Sequence, residues 1–286
     1  MTQDFRSAMA SAPATSANLG PAFDCMAIGL EVRCTVKVSR ADAWSIEHVG
    51  RYQPGVGEGD GVLSAARRVM GDAHPLSLQV DTDIPIGKGL GSSAAAAVAG
   101  TAAALRVVGD EATPDHVYRL AVEIEGHADN VAAAVYGGLV LVPAEGMPLR
   151  LPIHPVLQLV IGVPQWSLLT DQARRVIEAV HPQDRVQRSL ARVAALTSGL
   201  LTGDPDLLGA AHGDEIHEQP RDGMSPEVAG LIDLGKRAGA LHAARSGSGP
   251  SVIAFCTLET RERVVTAYTE AGVEVLTPQL ATTGLV

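Results

Sequence analysis

The 286-residue chain has few aromatic residues, few charged residues and few cysteines, and each shortage restricts the kind of core or site that it can form. Aromatic residues make up only 3% and charged residues 19%, so we expect a core of alanine, valine and leucine with closely packed helices. The three cysteines, Cys25, Cys34 and Cys256, are odd in number and lack metal-ligand spacing. The nine histidines form no HExxH or paired pattern, which argues against a dedicated zinc site.

Basic residues are also scarce, with 22 Lys and Arg against 32 Asp and Glu, for a net charge of −10. This balance argues against a nucleic-acid or anionic-membrane surface, and an anionic substrate would need a locally basic pocket. No apolar run is long enough for a transmembrane helix, and the start, MTQDFRSAMASAP, lacks the pattern of a signal peptide. We therefore expect a cytoplasmic protein. Its length of 286 residues allows one large or two modest domains.

One stretch, PIGKGLGSSAAAAVAGTAAALR, joins a glycine loop directly to an alanine-rich helix that begins at Ser92. The loop has glycine at alternate positions: Gly87, Gly89 and Gly91. Such a loop lets the backbone approach a ligand closely, and the first amides of the helix have no partners within it. The stretch therefore predicts a phosphate site, to which Ser92 and Ser93 add hydroxyl oxygens and Lys88 a charge.

Two better-known phosphate loops do not fit this stretch. A Walker loop has lysine directly before the hydroxyl residue, whereas Lys88 lies four residues ahead of Ser92. The dinucleotide fingerprint would need a third glycine at position 92. A tight turn entering a close-packed helix is the alternative.

Two further segments carry clustered polar residues. In the first, Ala12–Asp24, Asn18 and Asp24 could accept hydrogen bonds from a substrate ammonium or hydroxyl, or the segment could be an Asx turn that closes a hairpin. In the second, EGHADN, Asp129 or Asn130 could simply be a helix N-cap. The second segment begins with Glu125, and a carboxylate and a serine hydroxyl beside bound phosphates are a usual arrangement for Mg²⁺.

A second glycine-rich segment, Ser246–Ser251, either forms a simple turn, braces the first loop or touches a nucleotide. Arg174 lies four residues after Thr170 and so on the same face of a predicted helix, and Arg221 follows His217 and Glu218. Exposed arginines are usually solvated, so neither residue indicates a site by itself.

Periodicity predicts a mixture of strands and helices with a boundary near residue 150, where prolines cluster. The predicted strands are 7–14, 31–40, 44–49, 76–83, 139–142, 157–163, 251–256 and 273–276. The predicted helices are 62–70, 92–106, 113–125, 130–136, 170–180, 184–201, 206–217, 226–238 and 259–271. The second half suits an α+β domain.

Together these motifs resemble the GHMP kinases, and within that superfamily the homoserine kinase family. The resemblance rests on the segments APATSANLGPAFD, PIGKGLGSSAA, EGHADNVA, LTDQAR, HEQPR and SGSGPS, which span nearly the whole chain. It implies an α+β, two-domain GHMP kinase fold. Residues 1–150 would form an ATP-binding domain like the second domain of ribosomal protein S5, and residues 151–286 a ferredoxin-like domain.

The resemblance also implies a reaction, partners and site residues. ATP with Mg²⁺ would phosphorylate the hydroxyl of L-homoserine in threonine biosynthesis, in a protein that forms a homodimer. Ser93 and Glu125 would hold Mg²⁺. The phosphates would lie on Pro85, Ile86, Gly87, Lys88, Gly89, Leu90, Gly91, Ser92, Ser93, Ala94 and Ala95. Homoserine would contact Asn18, Asp24, His127, Asn130, Arg174 and Arg221, and the catalytic group would be Asn18, Asp129, Asn130 and Thr170. Asp129 could serve as a general base, although our hypothesis is that no side chain acts as a strong base.

Three positions depart from the family pattern. Gly61 stands where an asparagine often touches the nucleotide base, Ala27 replaces a common glycine, and HEQPR replaces the more usual HEPYR around Arg221. The alternatives are another small-molecule GHMP kinase acting on mevalonate, a sugar or shikimate, a catalytically silent nucleotide-binding relative, and a purely structural module.

Overall fold

The computed structural model describes residues 7–54, 59–168 and 170–286, and gives only the backbone of residues 170–172. A six-stranded sheet has the order β3-β4-β2-β5-β6, with β1 paired to β2, and a four-stranded sheet has the order β10-β7-β9-β8. The strands are β1 Ser7–Ala17, β2 Met26–Arg40, β3 Ser45–His48, β4 Leu76–Thr82, β5 Leu139–Leu141, β6 Leu149–Leu151, β7 Gln158–Val163, β8 His242–Arg245, β9 Val252–Cys256 and β10 Glu274–Leu276. The helices are α1 Gly61–Met70, α2 Ser92–Val107, α3 Pro114–Glu125, α4 Ala128–Tyr136, α5 Thr170–Arg175, α6 Gln183–Thr202, α7 Pro205–Ala210, α8 Glu218–Asp222, α9 Pro226–Arg237 and α10 Leu258–Glu270.

Strands β1 and β2 form a long antiparallel hairpin that is longer than the sequence predicts. The strand predicted over 7–14 continues three residues further, to Ala17, and the chain turns at Asn18, where φ is +69°. The register shifts between Pro13 and Ala14, where proline has no N–H to donate to the ladder. The hairpin thus delivers Asn18 and Asp24 to one end of the first sheet.

Helix α2 begins at Ser92 as predicted and lies at the centre of the first half of the chain. It packs against β1, β2, α1, α3 and α4, and its alanines are almost all buried. Small side chains allow this close packing, and a Cβ on Gly100 would lie 3.0 Å from the Val62 carbonyl oxygen. No described helix, α2 included, is long and apolar enough to cross a membrane.

The second sheet is buried on both faces, and its residues alternate between two cores. Leu159 and Ile161 of β7 join the core that runs through the first half, together with residues of α6 and α7. Val160 faces the other way, toward Val264 and Tyr268 of α10. The two halves therefore share one continuous core, and the second half has another beneath α9 and α10.

Several predicted elements of the second half are corrected by the structure. The helix predicted over 170–180 ends at Arg175, and strand β8 was missed. The helix predicted over 206–217 is wrong, because α7 ends at Ala210 and Gly213 has a left-handed φ of +80°. The Asp214 carboxylate then accepts hydrogen bonds from the backbone N–H groups of His217 and Glu218, which starts α8.

The last residues of the chain return to the first sheet. Leu280 pairs with Leu30 of β2, and Ser11 and Val286 exchange backbone hydrogen bonds of 2.8 and 2.9 Å. The Arg33 guanidinium donates to the Gly284 carbonyl oxygen at 2.6 Å. Strand β6, Leu149–Leu151, also belongs to this sheet. The domain boundary at residue 150 stays a prediction.

Two stacked histidines, the partly buried His212 and the buried His242 of β8, are expected to make stability depend on pH. The rings of His212 and His242 lie 5.0 Å apart, and burial lowers the pKa of each from 6.5 to about 4. The unfolded chain takes up protons on these rings below about pH 6.5, whereas the folded protein does so only near pH 4. The folded state therefore loses stability as the pH falls through this window.

We expect His212→Gln to weaken this dependence. Between about pH 7 and about pH 5, a fully buried histidine with this shift costs the folded state about 2 kcal/mol. His212 is only partly buried, so solvent screening reduces its share, and the variant should lose about 1 kcal/mol less than the parent. Chemical denaturation at both pH values measures the difference. His74→Gln, at an exposed histidine, is the matched control. Identical pH dependence in His212→Gln and the parent would contradict the assignment.

Candidate active site

A cavity of about 490 Å³ brings together nearly all the residues that the sequence predicts for the site. From that set, the lining residues are Asn18, Asp24, Pro85, Ile86, Gly87, Lys88, Gly89, Leu90, Gly91, Ser92, Ser93, Glu125, His127, Asp129, Asn130, Arg174 and Arg221. Ala94 and Ala95 are instead buried inside α2. The side chain of Thr170 lies outside the described part of the chain.

The glycine loop before α2 has a backbone that other residues adopt only with strain. The φ angles of Gly87, Gly89 and Gly91 are +68°, +73° and +65°. A Cβ on Gly89 would collide with the carbonyl oxygen of Ser246, and one on Gly91 would collide with the Thr15 hydroxyl. Glycine is therefore required at both positions by close packing as well as by φ.

The second glycine-rich segment, Ser246–Ser251, contacts and braces the glycine loop before α2, which is one of the three roles predicted for it. The Ser246 hydroxyl donates to the Gly89 carbonyl oxygen at 2.6 Å, and the Ser251 N–H donates to the Lys88 carbonyl oxygen at 3.2 Å. On its other side, the Gly247 N–H donates to the carbonyl oxygen of Ala17 at 3.0 Å. The segment thus connects the glycine loop to the β1–β2 turn.

A hydroxyl and a carboxylate meet where α2 begins. The Ser93 hydroxyl donates to Glu125 Oε2 at 2.6 Å, and no described side chain caps this helix end. These oxygens are of the kind that Mg²⁺ prefers, at the positive end of a helix suited to phosphate. The described side chains contain no cluster of three or more metal ligands, so a cation here would take its remaining ligands from phosphates and water.

Lys88 contributes more than the predicted charge. Its ammonium group donates to the carbonyl oxygens of Gln165 and Trp166 at 2.6 and 2.8 Å. Partial burial lowers its pKa from the usual value. The side chain therefore ties the glycine loop to the segment that follows β7.

Asp24 and Arg174 form a two-point ion pair across the cavity. The guanidinium donates to both carboxylate oxygens, at 2.7 and 3.1 Å. The Asn18 carboxamide fixes the turn that carries Asp24. Its oxygen accepts from the Asp24 N–H and its nitrogen donates to the Gly247 carbonyl oxygen, both at 3.0 Å. This contact spans six residues, not the two of an Asx turn, and it lies in the same turn that lines the cavity.

Arg221 is a buried cation that forms no ion pair with any carboxylate of the described residues. Its guanidinium donates to the carbonyl oxygens of Ala173 and Gly247, at 3.0 and 3.2 Å, and to His217 Nδ1 at 2.7 Å. Only 2% of the residue is exposed, and no described carboxylate lies within ion-pair distance. Burial lowers its pKa to about 10, so the group stays charged at neutral pH. This wall of the cavity is therefore suited to an anion.

His217 positions this arginine, a role that the sequence analysis did not assign. Its Nε2 donates to the Gly20 carbonyl oxygen at 2.6 Å, and its ring stacks on Phe23 at 5.0 Å. Burial lowers its pKa to about 4, so it is neutral and its Nδ1 can accept from Arg221. The signal in the sequence was the spacing of four residues between His217 and Arg221, which places both on one helix face.

Asp129 and Asn130 lie in the first turn of α4, but neither is its N-cap. That position is held by His127, so the predicted capping role is wrong. Asp129 accepts a hydrogen bond from the Asn130 N–H at 2.7 Å, and burial raises its pKa to about 6. The Asn130 carboxamide oxygen in turn accepts from the Thr15 hydroxyl at 2.6 Å.

Comparison with known proteins agrees with this geometry. Residues 60–138 match the family model described as "GHMP kinases N terminal domain", and residues 196–274 match "GHMP kinases C terminal". The fold and site thus define a GHMP kinase, and the predicted two-domain GHMP kinase fold is confirmed.

Whole-chain relatives narrow the assignment. A homoserine kinase of Moorella thermoacetica is 34% identical over 94% of this chain and 95% of its own length. One of Limosilactobacillus fermentum is 34% identical over 91% and 92%. The crystal structure of a homoserine kinase from Cytophaga hutchinsonii superposes with a TM-score of 0.85 at 26% identity, covering 100% of this chain and 98% of that one. The chain belongs to the homoserine kinase family of the GHMP kinases.

Proposed function

We propose that the protein transfers a phosphoryl group from ATP to the side-chain hydroxyl of L-homoserine, giving O-phospho-L-homoserine for threonine biosynthesis. The observation that carries this proposal is Arg221, a buried cation with no described carboxylate partner, in the same cavity as the glycine loop. A kinase whose acceptor is an amino acid needs both a phosphate cradle and a guanidinium for the carboxylate. An uncharged sugar would bring no anion to pair with the buried charge of Arg221.

The nucleotide end of the site is formed by the glycine loop and the start of α2. Backbone amides there would bind the phosphates, with the helix dipole favouring their negative charge. Ser93 and Glu125 would hold Mg²⁺, which would neutralise charge on the phosphates.

At the acceptor end, we place the homoserine carboxylate on Arg221 and Arg174 and its ammonium group on Asp24. The side chains of Asn18, His127 and Asn130 would complete the contacts around the substrate. The hydroxyl would then lie beside Asp129, where it could donate a hydrogen bond. Phosphoryl transfer depends largely on such positioning and on charge neutralisation.

The direct test is ADP release by purified protein with Mg²⁺-ATP and one acceptor at a time. We expect turnover with L-homoserine and none above background with mevalonate, galactose or shikimate. Turnover on one of those alcohols would overturn the proposed acceptor and keep the phosphate site. ATP binding without transfer to any alcohol would favour a silent relative.

Asp129 should slow the reaction at acid pH, which gives the plot of rate against pH an acid limb. Because its pKa is raised to about 6, kcat/KM for homoserine should fall as the pH drops below that value and the carboxylate becomes protonated. We expect Asp129→Asn to remove this limb and to lower kcat by no more than about 10³-fold, since positioning dominates. Rate profiles over pH for both proteins measure this. A greater loss with KM and folding intact would instead establish an indispensable base.

A cytoplasmic location, a homodimer and division into domains at residue 150 complete the proposal. The three cysteines, odd in number and without metal-ligand spacing, support the first, the family resemblance supports the second, and the prolines that cluster near residue 150 support the third.

A further inference from the structure

Part of the cavity wall has no role in the site described so far. It is formed where β2, β3 and β4 meet the start of α1, and it includes Cys34, His48, Pro54, Asp60, Gly61, Val62, Val80 and Thr82. Apart from His48 and Asp60 these residues are uncharged, and most of them are buried. Such a wall suits a flat, uncharged group better than a phosphate or a carboxylate.

Asp60 fixes the proton on the His48 ring. As the N-cap of α1, its Oδ1 accepts from the N–H groups of Val62 and Leu63, at 2.9 and 3.0 Å. Its Oδ2 lies 2.9 Å from His48 Nε2. Since an ionised carboxylate can only accept, Nε2 must carry a proton.

The other ring nitrogen of His48 is left unpaired by the residues that the structure describes. Its Nδ1 is buried and makes no hydrogen bond within the described part of the chain, and the side chain is only 4% exposed. In the neutral ring this nitrogen is a hydrogen-bond acceptor, because the proton is held on Nε2. Leaving such an atom without a hydrogen bond destabilises the empty site. A ligand that brings an N–H donor into this part of the cavity would remove that cost.

We propose that His48 reads the base of the nucleotide: its Nδ1 accepts a hydrogen bond from the 6-amino group of adenine. This assignment rests on the proposed function, in which the cavity binds ATP. Gly61 offers no side chain at this wall, and the Asp60 carboxylate is occupied by two amides and the imidazole. A purine with a 6-oxo group places an acceptor opposite an acceptor, so ATP is preferred over ITP.

The test is equilibrium binding without homoserine, which does not depend on turnover. Calorimetry with Mg²⁺-ATP and with Mg²⁺-ITP, in the same buffer, should give a Kd at least about tenfold lower for ATP. Because the first comparison changes only the ligand, it requires no altered protein. Equal Kd values would overturn the role of His48 and leave the proposed function standing. Failure to bind either nucleotide would overturn both.

Substitutions of His48 then test whether this residue causes the preference for ATP over ITP. We expect His48→Leu to bind ATP and ITP equally, mainly through weaker ATP binding, with a smaller change for ITP. His48→Asn places a carboxamide oxygen near the original Nδ1 and should recover part of the preference. His74→Leu, at an exposed histidine, should match the parent. If His48→Leu weakens both nucleotides by the same factor, or if the preference survives in it, the histidine is only structural.

Discussion

Gly89→Ala is expected to raise the Kd for Mg²⁺-ATP at least about 100-fold and to lower the melting temperature. An alanine there must adopt a φ of +73°, which costs about 1–3 kcal/mol. Its Cβ would also collide with the Ser246 carbonyl oxygen and lie 2.8 Å from the Gly249 backbone. Both neighbours are backbone atoms and cannot rotate aside, so the loop itself must move. The amides that face the phosphates would move with it.

Gly71→Ala separates the two causes. Gly71 has a similar φ of +70°, but a Cβ there would meet nothing within 4 Å. This control should lose stability through backbone strain and keep the ATP affinity of the parent. Calorimetry and thermal melting of both variants measure the two effects. If Gly89→Ala binds ATP as tightly as Gly71→Ala does, the glycine loop is not the phosphate site.

Arg221→Met should lower kcat/KM for homoserine by about 10³-fold, chiefly through a higher KM. Methionine fills much of the same volume but cannot pair with a carboxylate. Arg221→Lys keeps the charge but lacks the planar guanidinium, so its kcat/KM should lie between those of the parent and of Arg221→Met. ATP affinity should change little, because the predicted phosphate contacts lie on the glycine loop. Steady-state kinetics with both substrates varied would measure these effects.

A truncated acceptor makes this result specific to the carboxylate. 3-Amino-1-propanol is homoserine without its carboxylate, and the parent protein should use it about as poorly as Arg221→Met does. The variant should hardly distinguish the two acceptors. Arg119→Met, at an exposed arginine on α3, controls for the loss of a positive charge. A variant that still prefers homoserine strongly would show that the carboxylate lies elsewhere.

Features with local causes could be predicted from the sequence. Helix α3 starts and ends as expected, because the Thr113 hydroxyl accepts from the His116 N–H and Gly126 takes a left-handed φ of +76°. The alanine helix after the glycine loop was equally clear, since alanine favours helix in nearly any context. The pairing of Ser93 with Glu125 followed from motif position, and the structure brings the two within 2.6 Å.

Features set by distant contacts could not be predicted. Arg174 and Arg221 look alike in the sequence, yet one is paired with Asp24 and the other has no described carboxylate partner. Strand β8 was missed because His242 and Arg245 at its ends are charged or polar types that seldom occur buried. The Arg245 side chain is accommodated only because Asp222 and Ser225 accept its hydrogen bonds at 2.8 Å.

The return of the last residues to the first sheet adds to the contacts that fix the cavity walls. The chain leaves the first sheet after β6, builds the second sheet, and comes back at Leu280 to pair with Leu30. The two halves also share one core, and the Ser246–Ser251 segment is hydrogen-bonded to the glycine loop. The walls that carry the glycine loop and Arg221 are therefore held in place before a substrate binds. A preformed site of this kind lowers the entropy cost of ordering the protein when the substrate binds.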